Sequence, residues 1–305
     1  MHKVLLTGIT GFAGSQIAEK LIAEGIHIIG LKRTGSDTWR CDEFADKIDW
    51  VDIEPGYQKI LIQKGPDTII HSAWIGVSSE DRENWSKQIK NIDFLVELLI
   101  IAEKVQLKKF IFLGSQAEYG YIDNKVSEEN LAIATNAYGS VKLACLEILK
   151  TFTGLHNITW VWLRIFSLFG EKEDVNWLIP SVIHKMTVSN NMDFTPGDQK
   201  YAYLYIKDFS RIVYKLINQN VASGIYNVSS DQVKTLKSVI EALRNIVNPA
   251  FKMNFGSIPY RSKQSMHIEG DITKLTQQIG IINFTDFNVA LLNTVNYYLN
   301  KKEIK

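Results

Sequence analysis

A chain of 305 residues with 46% hydrophobic and 22% charged side chains has the composition of an ordinary globular protein, long enough for one large domain or two joined ones. Its net charge of +1 gives no field that would gather nucleic acid or an anionic membrane, so neither is expected as a partner. Two cysteines, Cys41 and Cys145, build no disulfide framework and read as buried thiols. The sequence holds no run of about 18 apolar residues and no signal-peptide pattern, so a cytoplasmic location is expected. No metal is expected.

The first fourteen residues organise the rest. Val4-Leu5-Leu6 is an apolar strand, followed by Gly8-Ile9-Thr10-Gly11-Phe12-Ala13-Gly14. A helical pattern then runs from Ser15 to Glu24, with Ile17, Ala18, Leu21 and Ile22 on one face, and Gly25 ends it. A buried strand that passes through a glycine-rich turn into a helix is a phosphate site. The glycines let backbone N–H groups approach a pyrophosphate, and the helix start supplies partial positive charge. Gly8, Thr10, Gly11, Phe12 and Gly14 are therefore candidate cofactor contacts. The glycines fall at three-residue steps rather than as G-x-G-x-x-G, and an ordinary tight turn is the alternative.

The second strand, Ile26–Leu31, ends in Lys32-Arg33. An NAD site usually carries an acid here for the ribose 2′-hydroxyl, whereas two cations suit a 2′-phosphate. NADP(H) is therefore favoured, with NAD(H) as the alternative. A third strand, Ile48–Ile53, carries Asp52, which either accepts from the adenine amino group or simply forms the following turn. After a helix near Tyr57–Lys64, a fourth strand runs from Asp67 to Ala73, and Ala73 opens a turn at the carboxyl end of the sheet, where such sheets bind ligands. Glu80–Val105 reads as largely helical, with Ile89, Ile92, Leu95, Val96 and Leu99 inward. Phe110–Ser115 is the fifth strand.

A polar loop, Tyr121–Asn136, leads to a helix over Ala137–Thr153 and a sixth strand, Trp160–Phe166. This alternation predicts an α/β protein: a Rossmann-type doubly wound parallel sheet. Residues 1–166 are expected to bind the dinucleotide. Residues 167–305 are expected to form a smaller α/β substrate-binding region, with part of 200–229 packing back on the first domain.

Tyr138 and Lys142 lie one turn apart on the helix. A nearby ammonium lowers a phenol's pKa, typically by about 1–3 units, which makes tyrosine a usable acid or base. Tyr-x-x-x-Lys also occurs at Tyr121/Lys125, Tyr203/Lys207, Tyr297/Lys301 and Tyr298/Lys302, but only Tyr138/Lys142 follows the fifth strand on a helix. Ser115, at the end of that strand, would complete the set by bonding a substrate carbonyl or hydroxyl.

The chain resembles an extended short-chain dehydrogenase/reductase of the nucleotide-sugar epimerase/dehydratase/4-ketoreductase group. The matching pieces are Thr7-Gly8-x-x-Gly11-Phe12-x-Gly14, Ser115-x-x-x-Tyr119-Gly120, Tyr138-Gly139-x-x-Lys142 and Arg164-x-Phe166 with Gly170. Tyr205-Ile206-x-Asp208 and Gly224-Ile225-Tyr226-Asn227 also fit. The resemblance implies that Tyr138 is the general acid/base. It implies that Lys142 holds the nicotinamide ribose and lowers the tyrosine pKa, and that Ser115 is the catalytic serine. By the same resemblance Asn91 supports the central helix, Arg261 holds the sugar nucleotide's pyrophosphate, and a homodimer forms through Glu80–Val105 and Ala137–Thr153.

Departures from the family pattern narrow the reaction. Gln116-Ala117 stand where dehydratases carry Asp-Glu, so dehydration is not expected, and Gln116 becomes a candidate substrate contact. Ser167 replaces an asparagine. Tyr201-Ala202-Tyr203 replace Arg-Asp-aromatic, with Lys200 as the candidate to take over part of that role. No Cys/His pair is placed to invert carbons 3 and 5. The expectation is an NADPH-dependent 4-ketoreductase acting on a nucleotide-linked 4-keto-6-deoxy sugar. A 4-epimerase with retained NAD is the alternative, and a non-catalytic nucleotide sensor is a more distant one.

Overall fold

The computed structural model describes residues 2–262 and 264–300; Lys301 and Lys302 lie outside them. The first half alternates as the periodicity predicts. Strand β1 (Lys3–Thr7) leads to α1 (Phe12–Ala23), β2 (His27–Lys32), β3 (Ile48–Asp52), α2 (Tyr57–Lys64) and β4 (Thr68–His71). Then come α3 (Trp85–Lys104), β5 (Lys109–Leu113), β6 (Asp123–Val126), α4 (Ala137–Leu155) and β7 (Thr159–Ile165). The second half is finer grained: β8 (Leu168–Phe169), α5 (Leu178–Val188), β9 (Asn191–Phe194), β10 (Lys200–Tyr201), β11 (Leu204–Tyr205) and α6 (Ile206–Asn218). It closes with β12 (Gly224–Val228), β13 (Lys234–Thr235), α7 (Leu236–Val247), β14 (Lys252–Phe255), β15 (His267–Gly270), α8 (Thr273–Ile279) and α9 (Phe287–Asn300).

Seven strands form one parallel sheet in the order β12-β7-β5-β4-β1-β2-β3. Successive residues of a strand face opposite sides. Val4 and Leu6 accordingly join the core under α1, α5 and α6, while Leu5 joins the core under α2, α3 and α4. The sheet is buried on both faces, as all-parallel sheets are. Its seventh strand comes from late in the chain: β12 pairs with β7 from Gly224↔Val161 to Val228↔Ile165. A mixed four-stranded sheet, β13-β10-β15-β6, forms the smaller C-terminal region.

Five local expectations are corrected. The glycine turn reaches its helix at Phe12, three residues early, with Gly11 as N-cap. Helix α3 starts at Trp85 behind Asn84, whose side chain accepts from the Lys87 N–H at 3.1 Å, and Asp81–Glu83 form only a single 3-10 turn. On α3 the inner positions include polar Gln88 and Asn91 beside Leu95, Leu98 and Leu99, whereas Ile89 is 50% and Val96 40% exposed. That helix is apolar on both faces, so periodicity alone misorients it. The loop 121–136 contains β6, paired to β15. The alternation Tyr201-Ala202-Tyr203-Leu204-Tyr205 reads in the sequence as one strand, but it breaks at Ala202-Tyr203 and its halves join different sheets.

Candidate active site

A cavity of about 1070 Å³ opens at the carboxyl end of the sheet. Its floor is the glycine turn. Gly8 has φ +66°, and a Cβ there would come within 2.5 Å of the Ala73 nitrogen, so only glycine lets β1 and β4 end side by side. A Cβ on Gly14 would sit 2.1 Å from the Gly8 oxygen. Gly14 therefore packs the helix on the turn and does not line the cavity; Gly8, Thr10, Gly11 and Phe12 do. The α1 N-cap offers no side-chain acceptor, and the first turn carries no acid. Its N–H groups are left for an anion. These features fit the pyrophosphate of a dinucleotide.

The adenosine end holds Lys32, Arg33, Ser36 and Ile53. Lys32 and Asp52 are register partners across β2 and β3, and the ammonium bonds the carboxylate. Two candidates assigned to the cofactor thus pair with each other; Lys32 lines the cavity and Asp52 does not. Arg33 is exposed, lines the cavity and has no side-chain partner among the described residues.

The catalytic end brings Ser115, Gln116, Tyr138 and Lys142 together with Ala73 and Asn91. Ser115 caps a short 3-10 turn, its hydroxyl accepting from the Ala117 N–H at 3.1 Å. Asn136 caps α4 at 2.8 Å from the Gly139 nitrogen, which fixes where Tyr138 emerges. Asn91 clamps Ile75: its Oδ1 accepts from that N–H at 2.8 Å and its Nδ2 donates to that carbonyl at 3.1 Å.

Lys142 behaves differently from the expectation. Its ammonium donates to the Leu113 carbonyl at 2.7 Å and lies 3.7 Å from the centre of the Trp74 ring. Burial pushes its pKa down to about 7, and Glu118 works against that shift. The Tyr138 phenol is not lowered overall: burial raises it, opposed by the Ser115 hydroxyl and by Arg82, not by Lys142. Burying a phenol disfavours its anion, and a lysine already bonded elsewhere gives it little compensation.

Beneath Ser115 lies a fully buried charge pair. Glu118 accepts from Arg164 Nε at 2.8 Å, from Trp162 Nε1 at 3.0 Å and from the Ser115 N–H at 2.7 Å. The one acid near Ser115 is thus committed to the fold and does not line the cavity. His71 is buried among Phe94, Phe110 and Phe112, and Cys145 is buried on α4.

On the substrate side, Lys200 and Arg261 are exposed and neither lines the cavity. Trp177, Tyr201 and Tyr203 do, whereas Phe194 and Tyr205 are buried away from it. Sequence reasoning missed Trp74, Arg82, Glu173 and Leu178 as lining residues. Burial pushes the Glu173 carboxyl up to about 8, with Asp174 adding to it. Arg82 sat in the run Glu80-Asp81-Arg82-Glu83, which carries no signal that separates it from a solvated helix start.

Residues 4–229 match the model of the NAD dependent epimerase/dehydratase family. The chain belongs to that family. It is an enzyme of this group, built around an NAD(P)-binding Rossmann sheet and placed in nucleotide-sugar chemistry. The chain is 27% identical over 284 residues to the CDP-abequose synthase of Salmonella muenchen, covering 90% of this chain and 91% of that one. It is 22% identical over 280 residues to the dTDP-6-deoxy-L-talose 4-dehydrogenase (NAD(+)) of Aggregatibacter actinomycetemcomitans, covering 88% and 98%. The UDP-glucose 4-epimerase of Thermotoga maritima, solved with UDP-glucose, superimposes with a TM-score of 0.87 over 99% of this chain and 100% of that one, at 19% identity. That likeness is one of fold. Among the described residues, no helix is long and apolar enough to cross a membrane.

Proposed function

We propose that the enzyme is an NADPH-dependent 4-ketoreductase acting on a nucleotide-linked 4-keto-6-deoxy sugar. The observation that carries this reading is the commitment of Glu118 to Arg164 and Trp162. With Gln116 lining the cavity and Glu118 buried in that pair, Ser115 has no acid beside it to eliminate water. Ketone–alcohol chemistry remains. The relative named as a 4-dehydrogenase of a 6-deoxy sugar supports the choice of carbon 4 and of a 6-deoxy sugar.

When bound, the dinucleotide supplies or accepts the hydride. Gly8, Gly11 and the N–H groups opening α1 would hold its pyrophosphate, and Arg33 its adenosine 2′-phosphate. Ser115 and Tyr138 polarise the sugar carbonyl by hydrogen bonding. Tyr138 gives its proton to the oxygen as the carbonyl carbon becomes an alcohol carbon. Lys142, beside Leu113 and Trp74, would hold the nicotinamide ribose. Trp177 and Tyr201 wall the substrate side.

A 4-epimerase with retained NAD is the second reading, favoured by one observation: Lys32 is neutralised by Asp52, so a single arginine remains for a 2′-phosphate. Denaturing freshly purified protein and reading the released nucleotide separates the two. The reductase reading predicts little bound cofactor and preferential binding of NADPH over NADH. Stoichiometric bound NAD(H) would overturn it. We also propose a homodimer formed through α3 and α4, supported by the exposed Trp85, Ile89, Val96 and Ile100 on α3.

A further inference from the structure

The segment that follows Gly170 is held by three other elements, two of which meet the glycine turn. Gln16 on α1 donates to the Glu171 carbonyl at 3.0 Å. Arg40, in the 3-10 segment Trp39–Lys47, donates from Nε to the Lys172 carbonyl at 2.8 Å and reaches the Thr10 carbonyl at 3.5 Å. The Tyr298 hydroxyl of α9 donates to the Glu173 carbonyl at 2.8 Å. The backbone of Glu173 is therefore fixed beside the turn that opens α1.

The Glu173 side chain is 8% exposed and lines the same cavity as Gly11, Phe12 and Ala13. The charged groups around it are committed elsewhere. Arg40 serves the two carbonyls, Lys172 pairs with Glu43 and donates to the Arg40 carbonyl, and Glu171 accepts from the Tyr205 hydroxyl at 2.6 Å. On α1, Glu19 pairs with Lys207. Asp174, next in the chain, adds a like charge. Across the cavity, Arg82 and Lys142 lie against Tyr138. Burial and Asp174 together push the Glu173 carboxyl up to about 8, with the Gly170 backbone working against them. A neutral carboxyl is a hydrogen-bond donor, whereas a carboxylate only accepts.

We infer that Glu173 is a cofactor-binding residue: as a neutral carboxyl it donates a hydrogen bond to the pyrophosphate seated on the start of α1, and as a carboxylate it repels that pyrophosphate. The inference rests on the dinucleotide site and not on which reaction the enzyme performs. The pyrophosphate is common to NADPH and NADH, so the effect is expected with both. In the reverse direction, the bound anion disfavours the carboxylate, so binding takes up a proton at mildly alkaline pH. A bound anion that keeps the carboxyl neutral to about one pH unit higher makes affinity fall about fivefold from pH 7 to pH 9.

The test needs neither substrate nor turnover. Binding of NADPH and of NADH to the full chain is measured by isothermal titration calorimetry at pH 7, 8 and 9. Lys142 lines the same cavity and titrates in the same range. The reading is therefore the difference between wild type and Glu173→Gln, whose amide keeps a donor and carries no charge at any pH. From pH 7 to pH 9 the wild type is expected to lose about fivefold more affinity than Glu173→Gln does. Parallel pH dependences of the two proteins overturn the inference. The wild type alone supplies a second reading that does not depend on the variant folding. In buffers of different ionisation enthalpy at pH 8, binding is expected to take up a fraction of a proton per cofactor, and no uptake overturns the inference. Where the protein is isolated with NAD(H) already bound, the fraction retained after desalting at pH 7 and at pH 9 replaces the titration. Loss of the ketoreductase reading thus leaves this test standing.

Discussion

Arg164 and Lys142 are both buried cations near the carboxyl end of the sheet, and the fold treats them in opposite ways. Arg164 meets a carboxylate, Glu118, whose two oxygens are further satisfied by Trp162 and the Ser115 backbone. Lys142 meets a carbonyl dipole and an aromatic face, with no acid in contact among the described residues. The first arrangement compensates a buried charge where it stands and fixes the serine turn above it. The second leaves a charge only partly compensated at the wall of a cavity, which is where an anionic or electron-rich ligand can complete it.

The largest effect should come from breaking the compensated pair. Arg164→Ala strands a buried Glu118 and is expected to cost about 3–5 kcal/mol of stability, measured by urea unfolding. Replacing both partners, Glu118→Leu with Arg164→Met, should recover most of that loss, because no orphan charge remains. A single and a double variant of equal stability would contradict the contrast. Tyr138→Phe, by comparison, should leave unfolding unchanged and lower turnover by about 10²–10⁴-fold, the range for removal of a general acid.

The uncompensated lysine gives a smaller effect with a defined sign. Its folded pKa lies below the ordinary value, at about 7. Between pH 7 and about 10.4 the unfolded chain binds more protons than the folded one, so this group's contribution to stability is greatest at high pH and is lost as pH falls toward 7. The stability of the wild type relative to Lys142→Met should therefore rise across that window. Glu173 has the opposite sign. Its carboxyl is raised to about 8, so stability falls as pH rises from about 4.3 to 8. Glu173→Gln should remove that fall, visible as a flatter melting temperature over the same range. The smallest effect belongs to the exposed Arg33: Arg33→Ser should weaken NADPH binding by about tenfold or more and leave NADH binding unchanged, as read by fluorescence titration.

The difference between the two cations also marks what could be read from the chain. The alternation of strands and helices, the glycine turn, and the placing of Ser115, Tyr138 and Lys142 around one cavity all follow from local pattern. Burial, turn chemistry and helix period act over a few residues and leave a trace in sequence. The direction of Lys142 does not follow, because its partner is a carbonyl 29 residues earlier, on a strand rather than on its own helix. Nor does the Lys32–Asp52 pair, which needs the β2/β3 register. Arg82 is hidden for the same reason: the turn that carries it is held by the hydrogen bonds of Gln88, a polar residue that hydrophobic periodicity does not mark as inward. Lys200, on β10 where it pairs with β15, and Arg261, which only the family resemblance pointed to, both lie outside the cavity wall.

Reduction at carbon 4 is the central claim, and hydride tracing tests it most directly. The enzyme would be incubated with a nucleotide-linked 4-keto-6-deoxy sugar and NADPH deuterated at the transferred position, and the product examined by NMR and mass spectrometry. The account predicts one deuterium at carbon 4 of each product molecule and one NADPH consumed per turnover. Inversion of a 4-hydroxyl sugar nucleotide with no net loss of NADPH, and no deuterium in the product, would contradict it.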